Sequence, residues 1–207
     1  MTKHGRFITF EGIEGCGKTT QNKRLADFFR AQGFTVIQTR EPGGTPIGQN
    51  LRQLILDPNT TFTHPYTEVL LFFADRLEHV QSVIAPALAA GHTVLCDRYI
   101  DSTVAYQKGG RHMPSSLLAP LTSMVPILPD LTILLDISVQ EGLSRAKKRA
   151  DLDRFEQETV EFHTRVRQTY LDQATTHPDR IKVIPVDGLS EDAVFEKIIK
   201  IVNPLTL

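Results

Sequence analysis

Long apolar runs are missing from this chain: nothing approaches the roughly 18 consecutive residues that a membrane-spanning helix needs. After Lys3, His4 and Arg6 the apolar run at 7–10 is cut by Glu11, too soon for a secretory signal. The sequence therefore predicts no membrane partner and a cytoplasmic location. Cysteine is scarce, and Cys16 and Cys96 form neither a metal-ligand cluster nor a disulfide framework. The seven histidines lack metal-site spacing and read first as surface or core residues. An excess of either charge is also absent. Charged residues are 23% of the chain with a formal net charge of -1, so nucleic acid is not the obvious partner. There is no internal repeat, low-complexity tract or linker. The 207 residues, 41% of them hydrophobic, suit one domain over 1–207 with a real core.

What is present is a phosphate loop. Gly12-Ile13-Glu14-Gly15-Cys16-Gly17-Lys18-Thr19 fits G-x-x-x-x-G-K-[ST] at every fixed position. The apolar run at 7–10 precedes it, and 19–32 follows with Leu25, Ala26, Phe28 and Phe29, the strand, loop and helix context that the motif needs. Glycines let the backbone turn its N–H groups inward, where the helix N-terminus adds positive potential for phosphate oxygens. Lys18 then reaches the terminal phosphates of a nucleotide, and the Thr19 hydroxyl a Mg2+ ion. The plain alternative is a turn rich in small residues. From its place on the loop, Cys16 is also expected to react with alkylating agents, with nucleotide protecting it.

Further along, strands are predicted at 35–39, 93–96, 131–136 and 181–186. Helices are predicted at 48–56, 67–90, 101–107, 115–124, 138–149 and 156–176, and a last one opens at Ser190. Pro86 should disturb the end of the long helix, Lys108-Gly109-Gly110-Arg111 should interrupt the next, and Ser138 is a plausible N-cap. The segment at 150–155 is charged and short, and reads as a mobile connection. Strands separated by helices imply an α/β fold with a mostly parallel sheet covered on both faces. Asp97-Arg98-Tyr99 closes one strand, at the edge where ligands of such sheets gather.

A GTP switch would need Asn-Lys-x-Asp and Asp-x-x-Gly; Asn22-Lys23-Arg24-Leu25 lacks the aspartate, and no Asp has Gly three places on. Arginine, by contrast, is abundant in loops after strands: Arg40, Arg98, Arg111, Arg145, Arg149 and Arg154. That suits a small kinase, which must crowd the phosphates of two molecules together. Planar guanidinium groups bind such oxygens in pairs. The transfer passes through a loose transition state, so positioning and charge do most of the work. An acceptor phosphate is already largely ionised at neutral pH, and no strong general base is needed.

Several stretches resemble the thymidylate kinases: residues 12–20, Arg40-Glu41-Pro42-Gly43-Gly44-Thr45, Leu71-Phe72-Phe73-Ala74-Asp75-Arg76, Asp97-Arg98-Tyr99 through Tyr106-Gln107, and Asp153-Arg154-Phe155-Glu156. The similarity runs in register from Phe7 almost to the C-terminus. It implies a P-loop fold like that of nucleoside-monophosphate kinases, with a five-stranded parallel sheet, a short lid at about 145–157, and a homodimer. It also implies transfer of the ATP γ-phosphate to dTMP with Mg2+. By the same resemblance ATP occupies Gly12, Ile13, Glu14, Gly15, Cys16, Gly17, Lys18, Thr19 and Thr20. Phe72 stacks on thymine, Arg76 and Gln107 read its edge, and Thr103 belongs to the same acceptor set. Arg98 and Arg52 hold the acceptor phosphate, Tyr106 crowds the sugar 2' position, and Glu14 lies near the 3' hydroxyl. Asp97 acts on Mg2+ through water, beside Thr19. No arginine sits within the loop, and Arg145 and Arg149 share a helix face by i,i+4 spacing. This resembles the branch whose lid delivers the catalytic charge, a role that falls to Arg149 beside Lys18 and Arg98.

Simpler readings stand next to these: Phe72 and Phe73 as core, Arg76 as a solvated helix residue, Arg98 as the partner of Asp97, Arg52 as an exposed face, and Arg149 as a basic helix end. The alternatives for function are a kinase for another nucleotide or nucleoside, and a non-catalytic ATP-binding module.

Overall fold

A computed structural model describes residues 5–148 and 153–203. Strand β1 (Arg6–Glu11) is buried from Phe7 to its end. A strand without exposed alternate positions needs cover on both faces, as in a parallel sheet between helices. The described residues form that sheet: five parallel strands in the order β2-β3-β1-β4-β5, with β2 at Val36–Arg40, β3 at Thr93–Asp97, β4 at Leu131–Asp136 and β5 at Ile181–Pro185. Ile8 pairs with Leu95 on one side and Leu131 on the other, which puts the phosphate-loop strand at the centre. The predicted fold class is the one found.

The pleat divides the core in two. Phe7, Val94 and Cys96 pack with Val69, Phe73 and Ile84, whereas Ile8, Phe10 and Leu95 pack with Leu25, Phe29 and Ile198. The second group docks α1 (Lys18–Ala31) behind the phosphate loop through Leu25 and Phe29, one helical turn apart. Among the described residues no helix is long and apolar enough to cross a membrane.

Helix α2 (Pro46–Leu56) starts two residues before its predicted onset. The Thr45 hydroxyl accepts from Gly48 N at 2.9 Å and Pro46 fills a first-turn position that has no partner to lose. The last turns of the long helix are disturbed, as expected, without ending it at Pro86: after α3 (Tyr66–His79) the chain widens into a π-helical turn at Val80–Ile84 and continues as α4 (Ala85–Ala89). Ala85 N–H donates to Val80 O, five residues back, the spacing of a π-helical turn.

The Gly109-Gly110 pair does not interrupt its helix either. Helix α5 (Ile100–Thr103) runs on as a π-helical stretch over Val104–Gly110. The glycines serve close packing, since a Cβ at Gly110 would lie 2.4 Å from the Phe162 ring on α8 (Val160–Thr176). Helix α6 (Ser115–Ser123) follows the second π-helical stretch. Helix α7 (Val139–Lys147) has Ser138 at its N-cap position, but the hydroxyl donates to Asp187 Oδ1 at 2.8 Å instead of capping. Helix α9 (Glu191–Val202) closes the fold.

Residues 149–152 lie outside the described residues, and with them Arg149. At its described end the supposed mobile connection is packed. Phe155 is buried in the larger core, with its ring 5.6 Å from Tyr106 and 5.9 Å from Phe72. Arg154 donates from its backbone N to Leu56 O at 3.1 Å and from Nε to Ile55 O at 2.9 Å, and pairs with Glu68 at 2.6 Å. Its charge is answered from α2 and α3; α8 begins at Val160, where Thr159 caps it.

Candidate active site

The loop between β1 and α1 turns through Gly15 at φ +71°, a region that disfavours any other residue. A Cβ there would also stand 2.1 Å from Gly142 O, so only glycine lets the loop lie against α7. Lys18 Nζ donates to Gly12 O at 3.1 Å and Ile13 O at 3.0 Å, lying back along the loop. The Thr19 hydroxyl donates to Asp97 Oδ2 at 2.7 Å, bringing together the two oxygens predicted for Mg2+.

Asp97 and Arg98 do not pair with each other. Arg98 has φ +69°, a left-handed conformation costing a non-glycine residue about 1 kcal/mol or more. From there its guanidinium pairs with Glu14 of the phosphate loop, donates to Gly12 O at 3.0 Å, and lies 5.0 Å from the centre of the Tyr106 ring. The Tyr106 hydroxyl donates to the same Glu14 oxygen at 2.9 Å. Burial alone would raise the Glu14 pKa, but Arg98 and then Lys18 hold it down to about 2. The acid within a phosphate loop thus has the cation and hydroxyl that its position demands.

Arg76 is not a solvated helix residue: it is 1% exposed. Its Nε and Nη2 donate to Glu41 Oε2 at 2.8 Å and 2.7 Å, and Nη1 to Thr103 Oγ1 at 2.8 Å. Glu41 is completed by His79 at 2.9 Å. Beside it, Asp75 accepts from Gly43 N, and burial followed by the Glu41 charge pushes its pKa up to about 6. Phe73 is core, while Phe72 is half-buried and borders the cavity described next. Gln107 is fully buried and donates from Nε2 to Glu68 Oε1 at 2.8 Å, while its Oε1 has no partner. Arg52 donates from Nη1 to Pro42 O at 3.0 Å.

These groups surround a cavity of about 280 Å³. Of the predicted site residues, Gly12, Ile13 and Cys16 do not border it and Arg149 lies outside the described residues; Glu14, Gly15, Gly17, Lys18, Thr19, Thr20, Arg52, Phe72, Arg76, Asp97, Arg98, Thr103, Tyr106 and Gln107 all do. Cys16 is 3% exposed and burial pushes its thiol pKa up, both of which work against the expected alkylation. Arg40, singled out only as one of the loop arginines, also borders the cavity, as do Glu41, Ser102 and Phe155, to which sequence reasoning gave no role. The motifs quoted for the resemblance contained Glu41 and Phe155; nothing in the sequence marked Ser102.

A second cavity opens on the other side of the loop, against Gly15, Cys16, Gly17 and Thr20. Arg145 of α7, Val186, Leu189 and Glu191 complete it, and the sequence offered no signal for it. Arg145 donates from Nε to Glu141 Oε1 at 2.8 Å, an exposed i,i+4 pair. Among the described residues no group of three or more His, Cys, Asp or Glu side chains could hold a metal by itself.

A family model described as thymidylate kinase matches residues 10–198. The chain is 50% identical over 188 residues to a thymidylate kinase of Geobacter sulfurreducens, covering 87% of this chain and 88% of that one. It is 46% identical over 205 residues to one of Trichormus variabilis, covering 97% and 96%. Its fold is similar to the crystal structure of thymidylate kinase from Ehrlichia chaffeensis, with a TM-score of 0.79 and 34% identity over 96% of this chain and 98% of that one. A family match across nearly the whole of a phosphate-loop fold, with relatives at this identity, leaves one conclusion: the chain belongs to the thymidylate kinase family.

Proposed function

We propose that this protein transfers the γ-phosphoryl group of ATP to dTMP, forming ADP and dTDP for dTTP synthesis. The observation that carries this reading is one cavity bordered both by Lys18 and Thr19 of the phosphate loop and by Phe72, Arg76 and Gln107 beyond it. The Arg98 guanidinium is tied to both groups, to the loop through Glu14 and to the far wall through the Tyr106 ring.

In this reading Phe72 stacks on thymine, worth about 1–3 kcal/mol by analogy with bases on protein platforms. Gln107 Oε1, without a partner in the protein, is free to accept the thymine N–H, and Arg76 keeps N–H groups to spare for a carbonyl. Arg98 and Arg52 clamp the acceptor phosphate, Tyr106 closes the space at the sugar 2' position, and Thr103 fixes Arg76. Glu14 accepts from the 3' hydroxyl. Main-chain amides of the loop, with Lys18 and Thr20, hold the ATP phosphates. The second cavity suits the adenine, with the Arg145 guanidinium on one side and Val186 and Leu189 as apolar wall. Thr19 and Asp97 are hard oxygen donors that would hold Mg2+, Asp97 through water, and the bound ion would offset phosphate charge.

We further propose that residues 1–207 form one domain with a lid at about 145–157, and that Arg149 brings the catalytic charge from it. A cytoplasmic homodimer completes the reading. Ile47 and Leu54 on α2 and Leu70 on α3 are exposed apolar side chains that a second copy would cover.

The test is ADP release from Mg-ATP across dTMP, dUMP, dCMP, dAMP and thymidine. The proposal expects dTMP to give the highest kcat/KM. A tenfold preference for another acceptor, or ATP binding without acceptor-dependent ADP release, overturns it.

A further inference from the structure

We propose that Glu11 is a positioning residue for the acceptor phosphate, a buried carboxylate that fixes both the backbone and the guanidinium of Arg98. The inference rests on the reading of Arg98 as the phosphate clamp.

Glu11 ends β1 and is fully buried, in a place where the sheet's hydrogen bonding asks nothing of a side chain. An apolar residue would fill such a position without the cost of desolvating a carboxylate. The carboxylate instead makes three contacts, all leading to Arg98. Its Oε1 accepts from Tyr99 N at 2.7 Å, the first amide after the left-handed Arg98. Arg98 N itself is held by Phe10 O at 3.0 Å, so β1 secures the strained residue from both sides. Its Oε2 accepts from the Ser102 hydroxyl at 2.6 Å and the Tyr170 hydroxyl at 2.8 Å. The two hydroxyls lie 2.8 Å from each other at the same Glu11 oxygen, and both offer lone pairs to Arg98 Nη1, each at 3.3 Å. The carboxylate therefore acts on the guanidinium through the two hydroxyls it holds.

Ionisable groups meet Glu11 from three sides: Asp101 on α5, Arg98 before it, and Tyr170 on α8. Asp101 is committed elsewhere, to Arg180 at 2.7 Å and 2.8 Å. Burial, then the Asp101 charge, push the Glu11 pKa up to about 7, while Ser102, Arg98 and Tyr170 pull the other way.

Glu11→Gln keeps the volume and an acceptor for Tyr99 N, but turns the other edge into a donor, so the two hydroxyls lose their common acceptor. The experiment measures calorimetric binding of dTMP and of thymidine, which lacks the phosphate, to the native protein, Glu11→Gln and Arg98→Ala, with a melting temperature for each. Glu11→Gln is expected to weaken dTMP about tenfold with thymidine unchanged, the effect of perturbing one charge-assisted contact. Arg98→Ala should lose at least as much of the preference for dTMP over thymidine. Should Glu11→Gln fail to fold, Ser102→Ala combined with Tyr170→Phe cuts the same relay and is expected to give the same selective loss. Equal loss of dTMP and thymidine binding means general loosening and overturns the inference. So does an unchanged preference in Glu11→Gln when Arg98→Ala abolishes it. If Arg98→Ala leaves the preference intact, the clamp reading of Arg98 falls, and the role of Glu11 with it.

Discussion

On the phosphate-loop side of Lys18 the contacts on offer are main-chain amides of a glycine turn, whereas on the side of Phe72 they are side chains pinned by buried pairs, Arg76 by Glu41 and Arg98 by Glu14. A main-chain nest asks little of the side chains at its variable positions, Glu14 apart, and everything of the space around its glycines. A side-chain clamp asks for its partners, because a guanidinium left buried without its carboxylate is costly. The two halves should therefore fail differently.

The largest expected effect is on the clamp. Arg98→Ala should lower kcat/KM for dTMP by a factor on the order of 10³ while the KM for ATP changes little. An equal rise in both KM values would erase the distinction between the halves. Arg149→Ala comes next: if Arg149 has the proposed role on the transferring charge, its loss should lower kcat by about 10² with dTMP affinity kept. Unchanged kcat moves the role to Lys147, Lys148 or Arg154. Glu41→Gln tests pinning apart from chemistry. It leaves Arg76 charged and 1% exposed, and should cost about 3 kcal/mol in urea unfolding, with little cost if the pair is dispensable.

On the other half, Gly15→Ala should raise the KM for ATP about tenfold or more and leave dTMP binding near its native value, since the added Cβ meets Gly142 O. Loss of dTMP binding instead would show that the loop and the clamp are one unit. The smallest effect is in acid. Glu14 is held at about 2, below its unfolded value of 4.5, so its share of stability is present above pH 4.5 and disappears as pH falls through 2. Stability against unfolding, followed across that range, should fall more steeply with falling pH for the native protein than for Glu14→Gln.

The same contrast explains what could be read from the sequence. The phosphate loop was legible in full, because eight consecutive residues set its backbone and the flanking periodicities confirm its context. The parallel sheet was legible for the same local reason. Arg76 was open to a solvated reading because Glu41, which buries it, lies 35 residues away. Arg154 and Phe155 looked like a mobile connection because charge is visible in a sequence and the carboxylate of Glu68 and the ring of Phe72 are not. Gly109-Gly110 looked like a break for want of Thr169 and Phe162, which lie against the bare backbone of Gly109 and Gly110. Motif resemblance supplied positions across these gaps, while partners, burial and the role of Glu11 came only with the fold.

The most direct test of the central claim uses ATP labelled in its γ-phosphate, mixed with the protein, Mg2+ and dTMP, with the products separated. The account predicts label in the β-phosphate of dTDP, equal in amount to the ADP formed. ADP with the label in inorganic phosphate and no dTDP, from protein that binds both nucleotides, would contradict it.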